Sequence, residues 1–164
     1  MGLPRKLQNM NVYLDGVSYF GEALEVTLPK LTRKTEEARR GVMIDMGQEA
    51  ISLEHSYGGL MKGLFDGYGA AAIDAALVRF AGAYDEPATG TVEAVEITVR
   101  GRHSEIDPGS AKPGEKSEVK VKTDCVYYKL AINSEVIVEI DFLNNIERIN
   151  GEDRLAAHRA AIGL

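Results

Sequence analysis

The chain has 164 residues, 45 % hydrophobic and 27 % charged, with a formal net charge of −6; a chain of this size buries about 70 % of its unfolded surface, so its composition excludes a disordered tail and a bilayer-embedded protein. The longest uncharged stretch, Leu7 to Leu14, is eight residues, too short for a membrane helix or the apolar part of a secretory signal, so a cytosolic chain with no membrane anchor is expected. Charge is unevenly spread, net +2 over residues 1–40 and −8 over 41–164, which is the wrong sign for tight or sequence-specific nucleic-acid binding but suits a surface that nucleic acid slides past.

Most of the chain reads as strands. Val12-Tyr13-Leu14 and Val17 to Phe20 flank Asp15-Gly16, a pair that accepts positive φ, and this predicts a tight hairpin. Leu24 to Leu28 alternates until Pro29, which has no N–H to donate, ends the strand. Lys30 to Arg40 carries five cations and two glutamates and is expected to be extended or looped and solvated. Gly41 to Gly47 is apolar without periodicity, an exposed connecting loop of the kind that marks a partner surface.

Ala50 to Tyr57 resumes strand character. Leu60, Met61, Leu64, Phe65 and Tyr68 then form one stripe of a short central helix ended by Gly67 and Gly69. Ala75 to Tyr84 reads as a strand burying Leu77 and the Tyr84 ring. In Thr91 to Arg102 the apolar residues change phase after Ala94, and in the strand after Val119 they change phase between Cys125 and Val126; a period of two cannot change phase without a bulge or bend. Ser104 to Glu115 is a connector. Asn133-Ser134-Glu135 is expected as a three-residue turn, because a two-residue turn would place Ile132 opposite Glu135. Asn150 should cap a C-terminal helix that buries Leu155 and Ile162 and closes at Gly163. The expected organisation is one mainly β domain over 1–164, a sandwich or barrel with a short central helix and a C-terminal helix, since bending strands belong to barrels and orthogonal sandwiches.

Residues able to do chemistry are sparse. His55, His103 and His158 stand in no local pattern with Ser or Cys. Cys125, the single cysteine, cannot form an internal disulfide and reads as a small hydrophobe in an alternating strand, with a disulfide between copies as the alternative. Gly67-Tyr68-Gly69 lacks the preceding strand and following helix of a dinucleotide site. Glu105, Asp107 and Asp124 have no calcium-loop spacing, and Met1-Gly2 lacks the hydroxyl residue of an acylation signal at the position of Lys6. No catalytic residue, cofactor or metal is therefore expected. The basic run Lys30, Arg33, Lys34, Arg39 and Arg40 contains Glu36 and Glu37 and no interleaved aromatics, which favours a solvated face or a protein contact over nucleic acid.

Several segments in order carry a likeness. Leu3-Pro4-Arg5-Lys6-Leu7, Asn11, Asp15 to Tyr19, Val26 to Glu36, Arg39 to Met43, Asp45-Met46-Gly47 and Glu49-Ala50, then Asp107-Pro108-Gly109, Gly114-Glu115-Lys116, Tyr127 to Leu130, Glu139-Ile140-Asp141 and Ile149-Asn150-Gly151 resemble major tail tube proteins of contractile-tailed phages and R-type pyocins. Val42 stands where members often have a second glycine. The resemblance implies two antiparallel β-sheets packed around a core, and hexameric rings of identical subunits stacked into a hollow tube. A sheath surrounds such a tube, a tape-measure protein fills it before ejection, and baseplate and terminator proteins close its ends. The product is a virion component, assembled in the host cytoplasm, that conducts DNA or other cargo and has no active site.

On that reading Arg33, Lys34, Arg39, Arg40, Gly41, Val42, Met43, Ile44 and Met46 are expected at contacts between rings or subunits, where burial supplies affinity and charge supplies register. Glu93, Glu96, Glu118 and Asp124 are candidate lumen-facing acids. The alternatives are the tube of a DNA-free contractile particle or secretion system and, in another class, a monomeric β-barrel that binds a small ligand.

Overall fold

Two long strands thread the molecule, and the second of them changes neighbours along its length. A computed structural model of the chain describes residues 2–164, so the acylation reading at Met1 lies outside the described residues. Twelve strands are present: β1 Lys6–Leu14, β2 Val17–Ser18, β3 Ala23–Thr27, β4 Arg33–Arg39, β5 Val42–Gln48, β6 Ile51–Tyr57, β7 Ala76–Glu86, β8 Thr91–Asp107, β9 Val119–Ile132, β10 Glu135–Asp141, β11 Ile146–Ile149 and β12 Glu152–Asp153. A 3-10 turn spans Lys62–Phe65 and one helix, α1, spans Ala156–Ala161. Strands β4 and β5 form a two-stranded sheet of their own. The other ten form one antiparallel sheet in the order β12-β11-β10-β9-β8-β7-β1-β2, with β6 also on β9 and β3 on β6.

The first half of β9 pairs with β6, from Val119↔Tyr57 to Cys125↔Ile51, and its second half pairs with β10, from Tyr127↔Asp141 to Ile132↔Glu135. On its other edge β9 pairs with β8 throughout, but Tyr127 faces Arg100 while Cys125 faces Gly101, leaving Val126 without a partner. This bulge stands where the apolar phase changes, since an extra residue returns the later side chains to the core face. The sheet bends there and lays β3 and β6 over β1 and β7: Leu24, Val26 and Leu28 face Leu7, Met10, Phe80 and Tyr84 across a groove. The core between the layers contains Val12, Leu14, Ile51, Leu53, Tyr57, Val78, Phe80, Val99, Val121 and Tyr128. Among the described residues no ladder joins β3 to β1 or β2, so the sandwich does not close into a barrel.

Several expectations are corrected. Gly41–Gly47 is not a loop, because all but its first residue belong to strand β5, and Ser104 to Asp107 extend β8 rather than the connector. The phase change after Ala94 has no bulge: β7 and β8 pair without interruption, and Val92 and Ala94 simply lie exposed at the rim. In β7 it is Ala76, Val78 and Phe80 that are buried, with Leu77 and Tyr84 half-buried. The turn before β10 has two residues, Asn133 and Ser134, both at positive φ, and Ile132 does face Glu135. A bulge at Ile137 then restores Val138↔Leu130 and Ile140↔Tyr128, so the apolar face is kept by a different device. The central helix is reduced to the 3-10 turn, of which only Leu64 is buried. At the C-terminus Asn150 and Gly151 take positive φ in a turn between β11 and β12, α1 buries none of its residues, and Ile162 is exposed.

Gly101 is the position that allows the bend, since a β-carbon there would collide with the Asp124 backbone carbonyl across the bulge. Gly101→Ala should lower unfolding free energy in urea by at least about 3 kcal/mol, the upper range for overpacking. Gly90→Ala, which at φ +70° meets nothing within 4 Å, should cost only about 1–2 kcal/mol, the penalty of a left-handed backbone. Equal losses in the two variants would contradict this role for Gly101.

Candidate assembly surface

The nine residues expected at subunit contacts all fall on one element, the β4–β5 hairpin. Arg33, Lys34 and Arg39 stand on β4, Arg40 and Gly41 form the positive-φ turn, and Val42, Met43, Ile44 and Met46 stand on β5. Every residue of β4 is exposed, and so are Val42 (58 %), Met43 (54 %), Ile44 (48 %) and Met46 (54 %). Each strand has one paired edge and one edge of unpaired N–H and C=O groups, because the hairpin is a two-stranded sheet by itself.

Arg33 differs from the other eight. Its guanidinium pairs with Asp45 at 2.9 Å within the hairpin and also with Glu147 of β11, whose carboxylate is almost wholly buried. The Arg33 bond, followed by the Gly47 backbone N–H, holds the Asp45 carboxyl below its ordinary range. Thr32, just before β4, accepts from the Glu49 N–H just after β5 at 2.9 Å and so closes the hairpin at its root. Arg33 is therefore the fastening of the hairpin root to the β11 edge, while Lys34, Arg39 and Arg40 project freely from the arm.

The four candidate lumen acids do not gather. Glu93 pairs with Arg5 at 3.2 Å and Glu96 with Arg79 at 3.3 Å, and their odd and even places on β8 put them on opposite faces. Glu118 and Asp124 lie on the outward side of the β3-β6-β9 layer. Glu118 borders an open cleft of about 300 Å³ there with Glu25, Glu54, Glu105 and Asp107 beside Lys120 and Lys122. Those further acids were readable only once register placed them side by side, for they come from three separate strands, β3, β6 and β8.

A second exposed apolar group was also missed. Phe20, Leu60, Phe65 and Tyr68 are exposed, although three of them belong to the stripe expected inside a helix. The signal was present as five glycines between Gly58 and Gly69, a density at odds with a stable helix.

One buried polar constellation has the residue types of a catalytic site. His55 Nδ1 is 2.7 Å from the Tyr57 hydroxyl, and Thr123 Oγ1 is 2.9 Å from His55 Nε2 and 2.8 Å from His103 Nδ1. A hydroxyl that donates to one ring and accepts from the other satisfies both with neutral imidazoles. Burial, then His103, pushes His55 down to about 3, and burial also lowers His103. All four side chains are shut inside the core. Cys125 is buried too, its thiol pushed up to about 12 mainly by burial, so it has neither the thiolate for chemistry nor the access for pairing between copies. Among the described residues no group of three or more His, Cys, Asp or Glu is placed to hold a metal ion, and no helix is long and apolar enough to cross a membrane.

A chain that seals its small polar cluster inside an apolar core and carries large apolar side chains on an exposed hairpin has a surface suited to contacts with other protein. The family model for phage tail tube protein FII matches residues 4–163, and the chain belongs to that family of structural tail proteins. It is 46 % identical to the tail tube protein of Escherichia phage P2, with all of both chains covered. It is 37 % identical to the major tail tube protein of Serratia phage KSP20, over all of this chain and 99 % of that one.

The buried histidines make stability depend on pH. The unfolded chain binds protons at both rings below about pH 6.5 while the folded chain resists, so stability held above that value is lost progressively as pH falls toward the folded values. From His55 alone the loss at pH 5 should be about 2 kcal/mol. Urea unfolding at pH 7 and pH 5 measures it, and His55→Gln should flatten the difference; equal stability at both pH values in the parent chain would show the rings are not held neutral.

Proposed function

We propose that this chain is the repeating subunit of the hollow inner tube of a contractile phage tail, assembling with identical copies into hexameric rings that stack. The observation that carries this reading is the β4–β5 hairpin: an arm with four exposed apolar side chains on β5 and open backbone edges is costly for a monomer, and a copy of the same chain can cover it. Cations at its turn set register while the apolar residues supply affinity. The family's name supports the tube, and the contractile sheath outside, the tape-measure protein inside, baseplate and terminator proteins at the ends, and assembly in the host cytoplasm follow as the surroundings such a tube requires.

For the bore we assign the outward face bearing Glu118 and Asp124, where Glu25 and Glu54 add negative charge that keeps DNA from adhering during ejection. Glu93 and Glu96, each already paired with an arginine, contribute less to such a field. A small-ligand carrier is disfavoured because the sandwich stays open and its clefts face solvent. The tube of a DNA-free particle fits the same surfaces and differs only in cargo.

Negative-stain electron microscopy of the concentrated protein should show rings or hollow rods. Arg39→Glu with Arg40→Glu should shorten or abolish the rods without changing the thermal unfolding of the monomer. Rods of normal length from this variant would remove the hairpin turn from the contact.

A further inference from the structure

The hairpin and the second apolar group stand at opposite edges of one sheet. Through Arg33 and Glu147 the hairpin is rooted on β11, next to the last strand of the order β12-β11-β10-β9-β8-β7-β1-β2. Phe20 follows β2 at the other end of that order, and the Tyr19 N–H there donates to the Val12 carbonyl of β1 at 2.8 Å. The segment carrying Leu60 and Phe65 is joined to this edge, since the Gly58 N–H donates to the Glu22 carbonyl at 2.9 Å and the Tyr19 hydroxyl lies directly against Gly63. The result is a cap of large apolar side chains, with Phe20 exposed at 69 % and Leu60 at 66 %.

The two surfaces also differ in charge. Residues 30–48 hold five cations and three anions, net +2. Around the cap stand Asp15, Glu22 and Asp66 against Lys62 of the 3-10 turn, net −2. The three acids surround Tyr19: after burial, the causes that raise its hydroxyl are Glu22, Asp66 and Asp15. The adjoining 108–118 loop is neutral in sum, with Lys112 and Lys116 against Glu115 and Glu118.

We propose that the β4–β5 hairpin of one copy docks on the Phe20–Leu60–Phe65 cap of the next, apolar side chains against apolar side chains and the basic turn against the acidic rim. Because the two surfaces are different and lie at opposite edges, the contact is head to tail. Such a contact leaves a free hairpin and a free cap on every partial assembly, so it repeats until a ring closes or a filament grows. This assignment rests on the reading of the chain as a self-assembling tube subunit and names the receiving surface for its arm.

The test uses two variants of the full chain. Met43→Glu with Ile44→Glu disables the hairpin, and Phe20→Glu with Leu60→Glu disables the cap. All four sites are exposed, and thermal unfolding verifies that each variant is folded; Met43→Ser with Ile44→Ser and Phe20→Ser with Leu60→Ser replace any pair that is not. By sedimentation velocity each variant alone should lose assembly at least tenfold against the parent chain. Mixed one to one, they should form a heterodimer that grows no further, because one good hairpin meets one good cap. A mixture that stays monomeric, or a cap variant that assembles as the parent does, overturns the docking while leaving the tube reading in place. A parent chain that does not assemble at all would instead defeat the tube reading itself.

Discussion

The structure depends on a single bend. At Val126 the β9 strand carries one residue more than its partner can match, and at Gly101 the facing strand has no side chain, so the Asp124 carbonyl can approach. Without that bulge β8 and β9 would run straight and carry β6 and β3 away from β1 and β7. With it, one sheet supplies both layers of a sandwich, and the apolar face of each covers the other. His55, His103 and Thr123 lie just beyond the bend, where the layers meet, and settle their polar atoms among themselves.

Folding a sheet onto itself satisfies its faces but not its edges. A closed barrel would have none; here, among the described residues, β3 ladders only with β6, and no third strand ladders with the β4–β5 hairpin. The side chains at these margins follow the same pattern. Val42, Ile44 and Met46 on the arm and Phe20, Leu60 and Phe65 on the cap remain in water, and the net charge is positive at the arm and negative at the cap. An isolated molecule gains nothing from this distribution. Under the proposed docking a chain of copies covers the apolar side chains at both edges, and the charges let each copy meet its neighbour in one orientation.

What was legible in the sequence had a local cause. Asp15-Gly16 specified its turn because both residues tolerate positive φ, observed at 49° and 84°. The phase change between Cys125 and Val126 located the principal bulge because alternation is strict wherever one face is buried. Exposure of 41–46 was visible in its apolar content, but its strand pairing was not, because five of the seven residues of the β4 partner are charged and show no apolar alternation. The Asn133–Ser134 turn was misjudged because a bulge at Ile137, invisible to a parity argument, repaired the register. The stripe from Leu60 to Tyr68, apart from Leu64 and Met61, and the run from Asn150 to Ile162 have helical spacing yet lie largely on the surface. Periodicity records which residues would share a face, not whether the molecule or a neighbour covers it. The acidic face was hidden for a related reason: Glu25, Glu54, Glu105 and Asp107 are distant in sequence and meet only through strand register.

The central claim is that a bent sheet leaves two unlike edges which identical copies cover in turn. Hydrogen exchange followed by mass spectrometry on free and assembled protein addresses it directly. Backbone amides of 39–46 and 58–68 should exchange rapidly in the free chain and slow together on assembly, while those of β8 and β9 around the bend stay protected in both states. Assembled particles in which either segment exchanges as fast as in the free chain would contradict the account.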